Sequence, residues 1–125
     1  MAFSTVHNIF IEALAAAVPA HTEDNLELQL LSEKERELFV KTVGIRYRKV
    51  AQKNITASDL CLACAEDLFS KKVVNRSEIK VLIFITQTPD YLIPNTASIL
   101  QHKLGLQKDC IAFDVNLGCS GFVYG

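Results

Sequence analysis

The sequence is short of the features that mark specialised chains. Its 13 Lys and Arg against 14 Asp and Glu leave a net charge of −1, which gives no electrostatic footprint for nucleic acid or for an anionic membrane. No apolar run approaches the ~20 residues that span a bilayer. Residues 9–20 superficially look like a secretory leader. No Lys or Arg precedes them, however, and Glu12 interrupts them, so the leader reading is poor. Low-complexity tracts, internal repeats and linker-like composition are also missing, so no internal domain boundary is expected within 1–125. One C-x-x-C, Cys61-Leu62-Ala63-Cys64, stands without a second C-x-x-C or an H-x-x-H. No metal site is therefore expected, and both sulfurs are read as core residues on the apolar face of a helix.

What is present points to a globular chain. Half of its 125 residues are apolar and 22% are charged, enough for a real core. The four cysteines sit in apolar, strand-like or helix-like surroundings, which favours a reducing, cytoplasmic setting over a disulfide framework.

In chain order, residues 6–13 alternate loosely and read as a strand, followed by an Ala-rich turn closed by Pro19. Thr22 is expected to cap a short helix over 25–31. Ser32 with Glu35 forms a capping box for a second helix to about Val43, ended by Gly44. Partial one-sided burial is expected there at Leu28, Leu31, Leu38, Phe39 and Val43. Residues 45–51 read as an extended surface segment, and Thr56 heads the clearest helical pattern, to about Val73. Residues 79–86 are dense in aliphatics, as in a strand covered on both faces. A turn at Thr88-Pro89-Asp90 precedes a helix from Asn95, with Ala97, Leu100 and Leu104 inward and Gly105 at its end. This order is an α/β pattern.

The last thirteen residues carry the chemistry. A short apolar strand, Cys110 to Val115, breaks at Asn116-Leu117-Gly118-Cys119-Ser120-Gly121, where two glycines flank one cysteine. A strand-to-helix turn needs permissive backbone there, and a helix beginning near Ser120 brings unpaired N–H groups towards the thiol. Such groups favour the thiolate and can receive the negative charge of an attacked thioester oxygen. The alternative is a small buried residue at a crowded turn.

The run 112–124, Ala-Phe-Asp-Val-Asn-Leu-Gly-Cys-Ser-Gly-Phe-Val-Tyr, resembles the active-site signature of the ketoacyl-acyl-carrier-protein synthase III family, a branch of the thiolase superfamily. Val43-Gly44-Ile45-Arg46-Tyr47-Arg48 is similar to that family's Gly-Ile-Arg-x-Arg segment. Thr88-Pro89-Asp90 with Pro94-Asn95-Thr96-Ala97 is similar to its Thr-Pro-Asp…Pro-Ser-x-Ala segment. The resemblance implies the N-terminal portion of a thiolase-like α/β fold, with a mixed central sheet and helices on it. It also implies an acyltransferase in fatty acid biosynthesis, in which Cys119 takes an acyl group from acyl-CoA or acyl-carrier-protein thioesters. Decarboxylative Claisen condensation with malonyl-acyl carrier protein follows, and no bound cofactor is implied.

By the same resemblance, Arg46 is a candidate contact to the phosphates of a pantetheine carrier, with an ion-pair role as the alternative. Ile93 matches a position that crosses a dimer interface towards the partner's acyl pocket, with ordinary core as the alternative. Acyl carrier protein is the implied partner, and a homodimer is implied through the strand Cys110 to Val115. The family's decarboxylating His and Asn have no matching motif here: His7, His21 and His102 lie in other contexts. A chain ending one turn into its catalytic helix reads as a fragment or split gene product, expected to be inactive in condensation by itself. Leu38 and Thr42 stand where CoA-using members place Trp and Arg, which points towards a carrier-protein or unusual primer. Other thiolase-like condensing enzymes, of the hydroxymethylglutaryl-CoA, polyketide or hydrocarbon synthase type, share the cysteine turn. A non-catalytic dimerisation module is the remaining alternative.

Overall fold

The computed structural model describes Thr5 and residues 7–125. Its strands are β1 (Thr22–Asp24), β2 (Tyr47–Lys49), β3 (Val81–Ile85) and β4 (Ile111–Val115). Its helices are α1 (Glu33–Val43), α2 (Ala57–Ser70), α3 (Thr96–Lys103) and α4 (Gly121–Tyr124). Short 3-10 turns occupy Asn25–Glu27 and Arg76–Glu78. The α/β expectation holds, but among the described residues the strands form two separate two-stranded sheets, one antiparallel and one parallel, rather than one mixed sheet. β1 and β2 are antiparallel, Thr22 opposite Lys49. β3 and β4 are parallel, Val81 opposite Ile111 and Ile85 opposite Val115.

Helix boundaries follow their caps. In α1, Ser32 and Glu35 form the reciprocal capping box, and Gly44 closes the helix at φ 74°. This is a left-handed position where a side chain would be strained. In α2, the Thr56 hydroxyl accepts from the Asp59 N–H while the Asp59 carboxylate accepts from the Thr56 N–H. α3 lacks a cap from its own Asn95. Asp114 of β4 supplies it, its two oxygens accepting from the N–H groups of Thr96 (2.8 Å) and Ala97 (2.7 Å). Asn95 Nδ2 also donates to the Ala112 carbonyl, 3.2 Å away. Thr96 and Ala97 are fully buried, so losing the carboxylate would strand two amide donors at about 1–3 kcal/mol each.

The polar chain continues away from the sheet. Thr96 Oγ1 accepts from the Asp90 N–H, and Asp90 Oδ2 accepts from the Ser58 hydroxyl, which adjoins Thr56 at the head of α2. Asp90 Oδ1 is buried with no hydrogen-bond partner. Beside this chain lies the core of Phe84, Ala97 and Leu100, with Ala57, Leu62, Leu82 and Ala112 packed on it.

Several local expectations are corrected. Within 6–13, Val6 lies outside the described residues, and 7–13 form no strand. Ile9, Phe10 and Ile11 are exposed, because no described strand runs alongside to pair with them. Thr22 begins β1 rather than capping a helix. Asp24 caps the following 3-10 turn through the Leu26 N–H. Leu38, Phe39 and Val43 are exposed on α1, which buries no residue. Cys61 is exposed and Cys64 half-buried, so the C-x-x-C is not sealed in the core. β3 is only partly covered, with Val81 exposed at its start.

Four surface carboxylates have their pKa values lowered. At Asp24 the main cause is the Leu26 N–H, aided by Arg46. The Ser32 hydroxyl and N–H act on Glu35. The Thr56 N–H and hydroxyl act on Asp59, and Lys80 acts on Asp109. A lowered folded-state pKa stabilises the protein above the unfolded carboxylate value of about 4 and is lost as pH falls through the folded value. Chemical unfolding followed from pH 5 down to pH 2.5 should therefore show falling stability. A flat or rising profile would contradict these caps and pairs.

Candidate active site

The two parallel strands end side by side, and the ladder runs one step beyond them, with the Thr86 N–H bonded to the Val115 carbonyl at 3.2 Å. The chain leaving β4 turns at once, Leu117 N–H to Val115 carbonyl at 3.0 Å. A second turn follows, with the Gly121 N–H donating to the Gly118 carbonyl at 2.9 Å. Cys119 and Ser120 are its central residues, so the thiol is presented at the C-terminal edge of a parallel pair, where open α/β sheets bind ligands. Cys119 is free and exposed. Among the described residues, the N–H groups of Cys119 and Ser120 donate to no protein acceptor. They are the amides available to a carbonyl oxygen.

The sequence places this cysteine close to a helix start, and the structure agrees, with α4 beginning two residues later. α4 has only four residues, so its dipole adds little beyond those free amides.

The flanking glycines serve close approach rather than unusual dihedrals, since neither has positive φ. A Cβ on Gly121 would lie 2.5 Å from Ile85 Cγ2, and one on Gly118 would lie 2.8 Å from Gln87 Nε2. Ile85 sits in the strand, whereas Gln87 is an exposed side chain free to swing aside.

The other candidates lie apart from the cysteine. Arg46 belongs to the segment entering β2, in the other sheet. Its Nε donates to Asp24 Oδ2 at 3.0 Å and its guanidinium stacks 5.0 Å over Tyr47. Asp24 raises its pKa further, through the hydrogen bond first and the charge second. The ion-pair alternative is therefore realised, although the side chain remains 53% exposed. Ile93 is 91% exposed on the loop before α3. His21 lies 3.7 Å from Glu23, and His102 is exposed on α3. Among the described residues no group of three or more His, Cys, Asp or Glu is arranged to hold a metal ion, and no helix is long and apolar enough to cross a membrane. Cys61 is a poor rival nucleophile: partial burial of its sulfur pushes its thiol pKa up, with Cys64 adding to the effect.

Residue-by-residue reading missed Asp114 and Gln87. The signal for Asp114 was available, since a carboxylate inside the apolar run Ile-Ala-Phe-Asp-Val must find donors if it is not to cost heavily. Nothing local pointed to Gln87, whose place follows from β3–β4 register.

Solved structures define the class. The chain superposes with TM-score 0.82 and 38% identity on a crystal structure of 3-oxoacyl-(acyl-carrier-protein) synthase III, covering 91% of this chain and 34% of that one. The Xanthomonas campestris OleA structure with bound cerulenin gives TM-score 0.79 at 27% identity, covering 92% and 36%. The fold is thus thiolase-like. Among curated proteins, the β-ketoacyl-[acyl-carrier-protein] synthase III of Latilactobacillus sakei is 40% identical over 110 residues, 88% of this chain and 33% of the relative. That of Koribacter versatilis is 32% identical over 121 residues, 97% and 36%. These relatives are β-ketoacyl-[acyl-carrier-protein] synthases III by name, and the chain spans about a third of their length. No family profile matches the chain.

The contact geometry orders two substitutions. Gly121→Ala should destabilise by about 1–3 kcal/mol, as overpacking against a strand residue does, while Gly118→Ala should cost less because Gln87 can rotate. Denaturant midpoints in the reverse order would contradict the turn as described.

Proposed function

We propose that this chain carries the acyl-accepting site of a 3-oxoacyl-acyl-carrier-protein synthase, residues 1–125 forming part of one thiolase-like domain. The observation that carries the reading is the exposed Cys119 on a turn fixed to the end of β4, within a sequence 40% identical to a named β-ketoacyl-[acyl-carrier-protein] synthase III. The Cys119 sulfur attacks the carbonyl carbon of an acyl-CoA or acyl-carrier-protein thioester. The carbon–sulfur bond to the carrier breaks, and the carrier thiolate leaves and takes up a proton. The free amides of Cys119 and Ser120 receive the transient oxyanion. In the whole enzyme, decarboxylation of malonyl-acyl carrier protein then supplies the carbanion that attacks the acyl-cysteine. The His and Asn that assist this half have no matching motif within residues 1–125, whose own share of the reaction is the acylation step.

Three further assignments belong to this reading. Arg46 retains enough exposed guanidinium to meet a carrier phosphate beside its Asp24 pair. The open edge of β4, with Ile111 and Phe113 exposed, is where a second copy adds its strand, and Ile93 projects from the adjoining loop towards that copy's acyl pocket. We place the protein in the cytoplasm, where four free cysteines stay reduced. The likeness to the OleA structure, at 27% identity, is weaker than that to the synthase III structure, at 38%.

Peptide mapping by mass spectrometry after exposure to acetyl-CoA or acetyl-acyl carrier protein tests the proposal. A single acetyl adduct at Cys119, absent in Cys119→Ser, is expected. Adducts at Cys61 instead, or at no residue, would leave only a packing or dimerisation role.

A further inference from the structure

Gln87 is a polar side chain that the acyl-transfer reading leaves without a task. It follows Thr86, the residue whose N–H extends the β3–β4 ladder, and the Thr88 N–H folds back to Thr86 Oγ1 at 3.0 Å. This tight turn lays the Gln87 carboxamide over the backbone of Gly118, the residue immediately before Cys119. A Cβ built on Gly118 would lie 2.8 Å from Nε2 and 3.3 Å from Oε1, so both ends of the amide are at the cysteine turn. Gln87 is exposed and makes no hydrogen bond among the described residues. A glutamine amide offers two N–H donors and one carbonyl acceptor, a set that complements a secondary amide. Pantetheine thioesters carry secondary amides a few bonds from the sulfur, whereas simple alkyl thioesters carry none.

We infer that Gln87 is a specificity residue for the carrier arm of the thioester, hydrogen-bonding an amide of a pantetheine-type donor as its carbonyl meets Cys119. The inference rests on Cys119 being the acyl acceptor. It adds a residue that selects the donor by what lies beyond the sulfur rather than by the acyl group. One neutral hydrogen bond of this kind is worth about ten-fold in rate or affinity.

The test compares two acetyl donors, S-acetyl-pantetheine and S-ethyl thioacetate, by the rate of Cys119 acetylation in the wild type, Gln87→Leu and Gln87→Ala. Leucine keeps the bulk and loses the polar groups; alanine loses both. Both variants should acetylate about ten-fold more slowly with S-acetyl-pantetheine and at the wild-type rate with S-ethyl thioacetate. Equal losses with both donors, no loss with either, or a loss in only one variant would overturn the role of Gln87 while leaving Cys119 as the acceptor. No acetylation of Cys119 in the wild type by either donor would overturn the acceptor reading itself, and this inference with it.

Discussion

The Asp114 carboxylate is where strand, helix and cysteine turn are joined. Its oxygens accept from the N–H groups of Thr96 and Ala97, the first two residues of α3 and both fully buried. These are donors that a helix cannot satisfy for itself, and an anion at a helix start is favoured by the aligned peptide dipoles. The same residue lies on β4, so the bond that completes α3 also fixes the strand that runs on into Gly118 and Cys119. Positioning of the thiol thus begins five residues before it.

The clamp works because its neighbours restrict the alternatives. Asn95 ties the entry of α3 to the Ala112 carbonyl, and Thr96 receives the Asp90 N–H, whose side chain in turn holds Ser58 at the head of α2. The apolar contacts of Phe84, Ala97 and Leu100 close over this polar seam. Side chains on β3 then set the limits of the cysteine turn from below, Ile85 allowing only glycine at position 121. The result is a free thiol on an exposed turn whose base is held by strand pairing and close packing, the kind of support a precisely placed side chain requires.

The parts of this arrangement that were legible in the sequence are those with local causes. Capping boxes at Ser32 and Thr56, the stop at Gly44 and the inward positions Ala97, Leu100 and Leu104 all leave marks within a few residues. Features set by distant partners left fainter marks. The apolar residues 7–13 have strand propensity but no described strand to pair with, and propensity alone does not hold a strand. Thr22 resembles a cap, yet pairing with Lys49 draws it into β1. Cys61 has the spacing of a buried face, but among the described residues no element seals that side of α2, and the residue is exposed with its sulfur only partly covered. The cysteine turn itself was legible from its residues, while the reason for its glycines, contact rather than dihedral freedom, required the register of β3 against β4.

Amide hydrogen exchange at Thr96 and Ala97 tests the central claim most directly. First-turn amides of a helix ordinarily exchange fast because they lack intrahelical acceptors. If Asp114 clamps β4 to α3, both should be protected as strongly as the Ile111 and Thr86 amides that bind the β3–β4 ladder. Exchange of Thr96 and Ala97 at the rate of a frayed helix end, with the ladder amides still protected, would contradict it.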